Sequence, residues 1–236
     1  MTRAAAVLLA AGSGSRVGAE VNKVLLPLLD VPILVRSVRT VLEVAGMHRV
    51  VLVVRPEDRA AVTEAVTPHL GVHDLWVVDG GTARHDSEWQ ALQALAPDIE
   101  AGEIDVVVIH DAARPLADAS LWRAVIDTAA VHGGAIPVTR SPQLSQRSGR
   151  LAPAGLLGVQ TPQAFAAPAL LAAYRAADAD GFTGTDTAAC LERYGAPGGL
   201  SIRPVESSAA NLKVTFPEDI ALAEVLLRRG PRRPTR

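Results

Sequence analysis

The stretch Ala4-Ala5-Ala6-Val7-Leu8-Leu9-Ala10-Ala11-Gly12-Ser13-Gly14-Ser15-Arg16 decides how the chain is organised. It opens as an apolar run with strand character, Ala4 to Leu9, and then empties into small residues and two glycines. A backbone stripped of side chains in this way lets its amides approach a ligand, and exposed amides suit a phosphate or a base. Arg16 and Lys23 follow at short range, one a planar fork of donors and the other a point charge. A polyphosphate lying along the loop and gaining charge during reaction would need such a pair.

Other uses of a glycine pair must be weighed. With one residue between them, two glycines also serve ordinary strand-to-helix turns, and with a third they serve dinucleotide folds. The third glycine is absent here. A P-loop needs Lys followed by Ser or Thr after the second glycine, whereas Gly14 is followed by Ser15 and Arg16. Arg3, the apolar stretch Ala4 to Ala11 and the small residues beyond it also mimic a secretory signal. That stretch sits at the lower limit for a signal's apolar region, and its pattern continues as an ordinary folded domain. The residues favour a strand that delivers a loop to a nucleotide, in a site for nucleotidyl transfer.

Composition narrows the partners. The 236 residues suit one α/β domain spanning 1–236, long enough to bury a sizeable core. Aromatic residues make up only 3%, so that core must be built from Val, Leu, Ile and Ala. A net charge of −2 provides no field for steering nucleic acid or an anionic membrane, so neither is expected as a partner. Cys190 stands alone, which excludes an internal disulfide and suits a reducing cytoplasm. No apolar stretch is long enough to span a bilayer.

Past the loop, Val24 to Leu28 is a short apolar piece and Pro32 opens a helix through Val44. Arg49 to Val54 is a nearly continuous apolar run, the pattern of a parallel strand covered on both faces. Pro56 and Glu57 start a second helix through Val66, and Asp74 to Val78 is a strand ending at Gly80-Gly81. A helix from about Asp86 to Leu95 precedes a strand from Asp105 to Ile109, which ends at His110-Asp111-Ala112-Ala113-Arg114-Pro115. Ser120 is placed to cap a helix through His132, and Gly134 to Val138 makes another strand. This alternation predicts an α/β fold with a doubly wound, mostly parallel sheet, whose ligands sit beyond the carboxyl ends of the strands. Periodicity lapses from Thr139 to Gly155, which predicts a projecting arm at about 139–157. Helices at Pro168 to Ala177 and Asp186 to Tyr194, a strand at Leu200 to Val205 and a helix at Pro217 to Arg229 follow. The basic residues at about 229–236 read as a flexible, solvated tail.

Five separated stretches together resemble the motif set of the 2-C-methyl-D-erythritol 4-phosphate cytidylyltransferases. They are Ala10-Ala11-Gly12-x-Gly14-x-Arg16, Gly80-Gly81-x-x-Arg84-x-Asp86-Ser87, His110 to Pro115, Gln160-Thr161-Pro162-Gln163-x-Phe165, and Asn211-Leu212-Lys213-Val214-Thr215-x-Pro217-Glu218-Asp219. The resemblance implies a sheet of the Rossmann-like nucleotidyltransferase type. It also implies a reaction of isoprenoid precursor synthesis in which a polyol phosphate attacks the α-phosphorus of CTP, with Mg²⁺, releasing pyrophosphate. By the same resemblance Arg16, Lys23 and Lys213 are catalytic, and Ala10, Ala11, Gly12, Ser13, Gly14, Gly80, Gly81, Ser87 and Ala112 hold CTP. Asp111, Arg114, Thr185 and Lys213 would meet the polyol phosphate, Asp111 would ligate the metal, and the arm would pair two subunits into a homodimer.

Read as residues alone, several of these positions keep two meanings. Gly80 and Gly81 let a base approach the backbone with Ser87 at its edge, or Ser87 caps the helix that follows. Arg84 and Asp86 read as a structural pair on that turn. Asp111, ending a predicted buried strand, suits a metal ion, a substrate hydroxyl or a capping role. Arg114 either clamps a second substrate or fixes its own loop, and Arg16 and Lys23 are otherwise surface cations. Lys213 lies in an apolar, strand-like stretch, where a cation is costly without an anionic partner; this favours a phosphate contact. His110 reads as packed beside the site, and no serine has the flanking glycines of a nucleophile elbow.

The acceptor half departs from the family pattern. Arg140-Ser141-Pro142-Gln143 stands where the family has Asp-Thr-x-Lys, and Pro153 aligns with an arginine that reaches the polyol phosphate of the neighbouring subunit. Asn22 replaces a proline before the loop lysine, and Thr187 replaces an acidic residue after Thr185-Asp186. Three outcomes fit these changes. Arg140, Arg147 or Arg150 takes over the phosphate contact, the acceptor is another polyol phosphate such as ribitol 5-phosphate, or the chain is a CTP-binding paralogue with little activity.

Overall fold

β1 (Ala4–Leu9) sends Ala4, Ala6 and Leu8 into one apolar cluster and Ala5 and Val7 into another, so both of its faces are covered. The computed structural model describes residues 1–12, 22–140, 156–195 and 200–229. A small hairpin of β2 (Pro27–Leu28) and β3 (Val31–Pro32) leads into α1 (Ile33–Leu42), which buries Leu34, Val35, Val38 and Val41 at helical spacing. β4 (Met47–Val54), α2 (Arg59–Val66) and β5 (Trp76–Asp79) follow, and then α3 (Arg84–Glu100) and β6 (Val106–Asp111). The second half runs α4 (Ala119–His132), β7 (Gly133–Arg140), β8 (Leu157–Val159), β9 (Gln163–Ala166), α5 (Ala167–Ala179), α6 (Thr187–Tyr194), β10 (Ser201–Glu206) and α7 (Pro217–Arg229).

The main sheet has the order β10-β7-β9-β6-β1-β4-β5, with β8 paired to β7. β1 pairs in parallel with both β4 and β6, and β4 pairs in parallel with β5. This is the doubly wound sheet expected from the alternation of elements. β9 is antiparallel to β6 and β7, which makes the sheet mixed. Those four residues carry too little pattern to announce a strand; the frame of two neighbouring strands makes them one.

Several local expectations shift. α3 runs past Leu95 and through Pro97 to Glu100, because Ile99 continues its buried stripe and the Ala101 amide still reaches the Pro97 carbonyl at 2.9 Å. Asp118, not Ser120, caps α4: its Oδ1 accepts from the Leu121 amide at 2.9 Å, and the Ser120 hydroxyl donates to that same oxygen. Lys213 lies outside any strand, on a loop held by its neighbour Val214, whose side chain is fully buried and whose amide donates to the Ala113 carbonyl at 2.8 Å. Val214 joins Leu28, Ile33 and Ala223 in a third apolar cluster, so α7 and the hairpin pin this loop. Burying one such aliphatic side chain contributes about 1.5–3 kcal/mol.

At the foot of the predicted arm, β7 and β8 form an antiparallel pair in which Arg140 faces Leu157. Residues 141–155 of the arm, with Arg147, Arg150 and Pro153, and the tail at 230–236 lie outside the described residues. Among the described residues no helix is long and apolar enough to cross a membrane.

Candidate active site

After β1 the chain turns to one side to lay down β4 and β5, then returns to the other side for β6. A reversal of this kind opens a crevice beyond the carboxyl ends of the strands. The crevice here has a volume of about 660 Å³ and is lined by Leu9 to Gly12, Lys23, Val24, Arg55 to Glu57, Gly80 to Arg84, Ser87, Asp111, Ala113 and Lys213. A smaller hollow of about 480 Å³, lined by residues such as Gly46, His48 and Trp76, lies at the opposite ends of β1 and β4, away from these groups.

The wall beside β1 is lean. Ala10 lines it, with its amide donating to the Val53 carbonyl and its carbonyl accepting from Asn22, so this end of β1 is tied down on both sides. Ala11 and Gly12 line the opening; Ser13, Gly14 and Arg16 lie outside the described residues. Asn22, buried at 1% exposure, explains its departure from the family pattern. Its Nδ2 donates to the Ala10 carbonyl and to Asp58 Oδ2, each at 2.8 Å, and its Oδ1 accepts from the Val24 amide at 3.2 Å. Asp58 is held in turn by Arg55. Asn22 thereby starts the helical turn Lys23–Leu25 and fixes Lys23 relative to the end of β1.

Gly80 and Gly81 are required by protein packing. A Cβ on Gly80 would lie 2.6 Å from the Ala11 Cβ, and one on Gly81 would lie 2.2 Å from the Asp86 Cβ. Asp86 closes this corner, with its Oδ2 accepting from the Thr82 hydroxyl at 2.7 Å and the Ala83 amide at 2.9 Å. The predicted Arg84–Asp86 pair is therefore not formed, because Asp86 caps α3 and Arg84 turns away from it. Ser87 lines the crevice and donates to the Ala83 carbonyl at 3.1 Å; the capping role falls to Asp86.

The wall beside β6 is charged. Asp111 ends β6 with both carboxylate oxygens engaged: Oδ1 by Arg84, and Oδ2 by Lys213 at 2.8 Å, with the Arg114 Nε at 3.7 Å. Burial would raise the Asp111 carboxyl, but Arg84 and Lys213 outweigh burial and hold it well below the usual carboxylate range. Asp111 is thus the anionic partner that Lys213 requires. Arg114 Nη1 donates to the Asn211 carbonyl at 2.8 Å, so Arg114 fixes the loop that carries Lys213.

Two expected contacts are not assembled here. Ala112 is fully buried; its amide donates to the Leu9 carbonyl at 3.1 Å and its carbonyl accepts from Ser37, and Ala113 rather than Ala112 lines the crevice. Thr185 is exposed on the loop before α6, outside the crevice lining, and Asp186 beside it caps that helix.

The motif from Gln160 to Gln163 braces the charged wall from behind. Gln160 Nε2 donates to the Ser208 carbonyl, and Asn211 Nδ2 donates to both Gln160 Oε1 and the Thr161 carbonyl. Thr161 Oγ1 accepts from the Asp111 amide at 3.0 Å and faces His110 Nδ1 at 3.1 Å. Its hydroxyl therefore donates to Nδ1, and the Nε2–H of a neutral His110 faces the Arg114 carbonyl. Burial lowers the His110 imidazole to about 3, against the pull of Asp111, which agrees with a packed, non-catalytic histidine.

Sequence reasoning missed Glu88. It lies on α3, buried at 1% exposure, with Arg84 Nε 2.9 Å from its Oε1. The spacing of Arg84 and Glu88, one helical turn apart, is the signal that would have found the pair.

A doubly wound sheet with a lean, glycine-edged loop on one side of its crevice and a charged cluster on the other defines an α/β nucleotidyltransferase. The family pattern of the 2-C-methyl-D-erythritol 4-phosphate cytidylyltransferases matches residues 4–229, and the chain belongs to that family. A cytidylyltransferase of that name from Pelotomaculum thermopropionicum is 35% identical over 236 residues, covering 97% of this chain and 95% of the relative. Another, from Symbiobacterium thermophilum, is 38% identical over 228 residues, covering 94% and 91%. Among solved structures, the 4-diphosphocytidyl-2C-methyl-D-erythritol synthase of Anaerococcus prevotii shares the fold with a TM-score of 0.80 over 97% of each chain at 24% identity. The Thermus thermophilus cytidylyltransferase gives 0.70 at 25% identity, covering 94% of this chain and 98% of that one.

Proposed function

We propose that the protein moves CMP from CTP onto 2-C-methyl-D-erythritol 4-phosphate and releases pyrophosphate, a step in isoprenoid precursor synthesis. The family match across residues 4–229 supports this acceptor over ribitol 5-phosphate and over a paralogue that only binds CTP. In the reaction an acceptor phosphate oxygen forms a bond to the α-phosphorus as the bond to pyrophosphate breaks. Such a displacement needs in-line positioning and charge stabilisation more than a nucleophilic side chain. Lys23, and Arg16 from the same loop, would lie along the triphosphate, with Gly80, Gly81 and Ser87 at the cytosine end. Lys213 would face the acceptor phosphate. The observation that carries this reading is the gathering of Arg84, Arg114 and Lys213 on Asp111, across the crevice from Ala11 and Gly12.

Asp111 also offers a hard oxygen ligand at the crevice, and its most exposed partner, Lys213, is the one able to give way. This donor set fits a magnesium ion that takes its remaining ligands from phosphates and water. When bound, the ion would supply further neutralisation of the triphosphate, and Asp111 would be the residue that holds it. A homodimer paired through the arm, in a reducing cytoplasm, completes the proposal. It is supported by the exposed Leu156, Leu157 and Val159 at the foot of the arm and by the buried, free Cys190.

Incubation with CTP, Mg²⁺ and a panel of polyol phosphates, read as pyrophosphate release, tests the function. Release with methylerythritol phosphate alone is expected. Release only with another acceptor, or CTP binding without any release, overturns it.

A further inference from the structure

Three donors converge on Glu88: Arg84 Nε at 2.9 Å and Thr187 Oγ1 at 2.8 Å, both to Oε1, and the Tyr174 hydroxyl to Oε2. The carboxylate is buried at 1% exposure and Thr187 is fully buried. The Tyr174 ring is stacked on His85 with centroids 4.8 Å apart, so the hydroxyl is held in place. All three partners can donate to the carboxyl group, and the Arg84 guanidinium can do nothing else. Burial raises the carboxyl above its ordinary range and outweighs the opposing pull of Arg84 and the two hydroxyls. A carboxyl group at this depth is costly unless it is partnered on several sides, as this one is.

The guanidinium of Arg84 is shared between Glu88 and Asp111. Its Nε is spent on Glu88, which leaves Nη1 aimed at Asp111 Oδ1 and turns Oδ2 toward Lys213. Thr187 stands where the family pattern carries an acidic residue, and here its hydroxyl donates to Glu88. We propose that Glu88 is a positioning residue for the reaction: it replaces the missing acid at 187, locks Arg84, and through Arg84 sets the orientation of Asp111 opposite Lys213. This inference rests on the cytidylyltransferase reading and extends it to residues on α3, α5 and α6 that touch no substrate.

The test compares the wild type with Glu88→Gln, with Glu88→Gln/Thr187→Asp and with Tyr174→Phe, measuring kcat and acceptor KM per folded molecule and CTP affinity by calorimetry. Glu88→Gln is expected to lower kcat about 10²-fold through a displaced Asp111 while leaving CTP affinity within about twofold. Adding Thr187→Asp is expected to restore most of that loss. Tyr174→Phe removes one donor and keeps the ring, and it is expected to lower kcat roughly three- to tenfold even if Glu88→Gln proves insoluble. Unchanged kcat per folded molecule in Glu88→Gln or in Tyr174→Phe overturns the proposal, since a purely structural role moves only the melting temperature. A folded double variant without recovery overturns the replacement at 187. A wild type that releases no pyrophosphate would sink the underlying function, whereas an active wild type beside an equally active Glu88→Gln sinks this inference alone.

Discussion

The two walls of the crevice are built on opposite plans. The wall beside β1 is made of Ala10, Ala11 and Gly12, with Lys23 positioned by Asn22, which donates to the Ala10 carbonyl and Asp58 and accepts from the Val24 amide. The wall beside β6 gathers Asp111, Arg84, Glu88, Arg114 and Lys213 from three separate parts of the chain. The first wall keeps its shape through Asn22, which links the end of β1 to Asp58 and to the turn that carries Lys23. The second keeps its shape through charge, so each member has both a structural and a chemical duty.

Substitutions on the two walls should therefore fail differently. Asp111→Asn is expected to cost most, because it leaves Arg84, Arg114 and Lys213 without their shared counter-charge. Turnover should fall by about 10³-fold or more, and urea unfolding should show a loss of about 3–5 kcal/mol. Lys23→Ala is next, with kcat falling about 10²- to 10³-fold. If Lys23→Ala leaves turnover intact, the proposed role on the triphosphate is wrong. Asn22→Ala should destabilise by about 1–3 kcal/mol, because the Ala10 carbonyl and Asp58 lose a buried donor. Its effect on kcat should be smaller than that of Lys23→Ala, and equal losses would show that the lean wall is as interdependent as the charged one.

The effect that is smallest per pH unit concerns acid. His110 titrates at about 3 in the folded protein, below the value of about 6.5 for a free imidazole, so the unfolded chain takes up the proton first. Stability should be full above about pH 6.5 and fall as pH drops toward about 3, by at most about 1.4 kcal/mol per pH unit from this residue. The depressed Asp111 carboxyl adds to the loss below the ordinary range of an aspartate. Urea unfolding at a series of pH values checks the slope, and a flat profile between pH 6 and 4 would contradict a buried, neutral His110.

Much of the lean wall was legible in the sequence, since the apolar run of β1, the small residues after it and Lys23 lie close together in the chain. Asn22 was visible only as a departure, because nothing local says that residues 10 and 58 come within reach of it. On the charged wall, Asp111 could be placed at a strand end and Lys213 could be seen to need an anion. That each is the other's partner could not be seen. Ala112 and Gly80 carry a structural duty that the motifs did not announce: the Ala112 amide ties β6 to the Leu9 carbonyl, and Gly80 leaves room for Ala11.

Taken by itself, the sequence determined the alternation of strands and helices, the parallel core around β1 and the end of the sheet where ligands gather. Those properties follow from periodicity and turn chemistry among neighbours in the chain. Only the tertiary structure decided which cation meets which carboxylate and that β9 slots between β6 and β7. It also decided that Glu88 is buried against Arg84, Tyr174 and Thr187. A buried charge takes whatever partners the order of the strands brings to it, and that order joins residues a hundred positions apart.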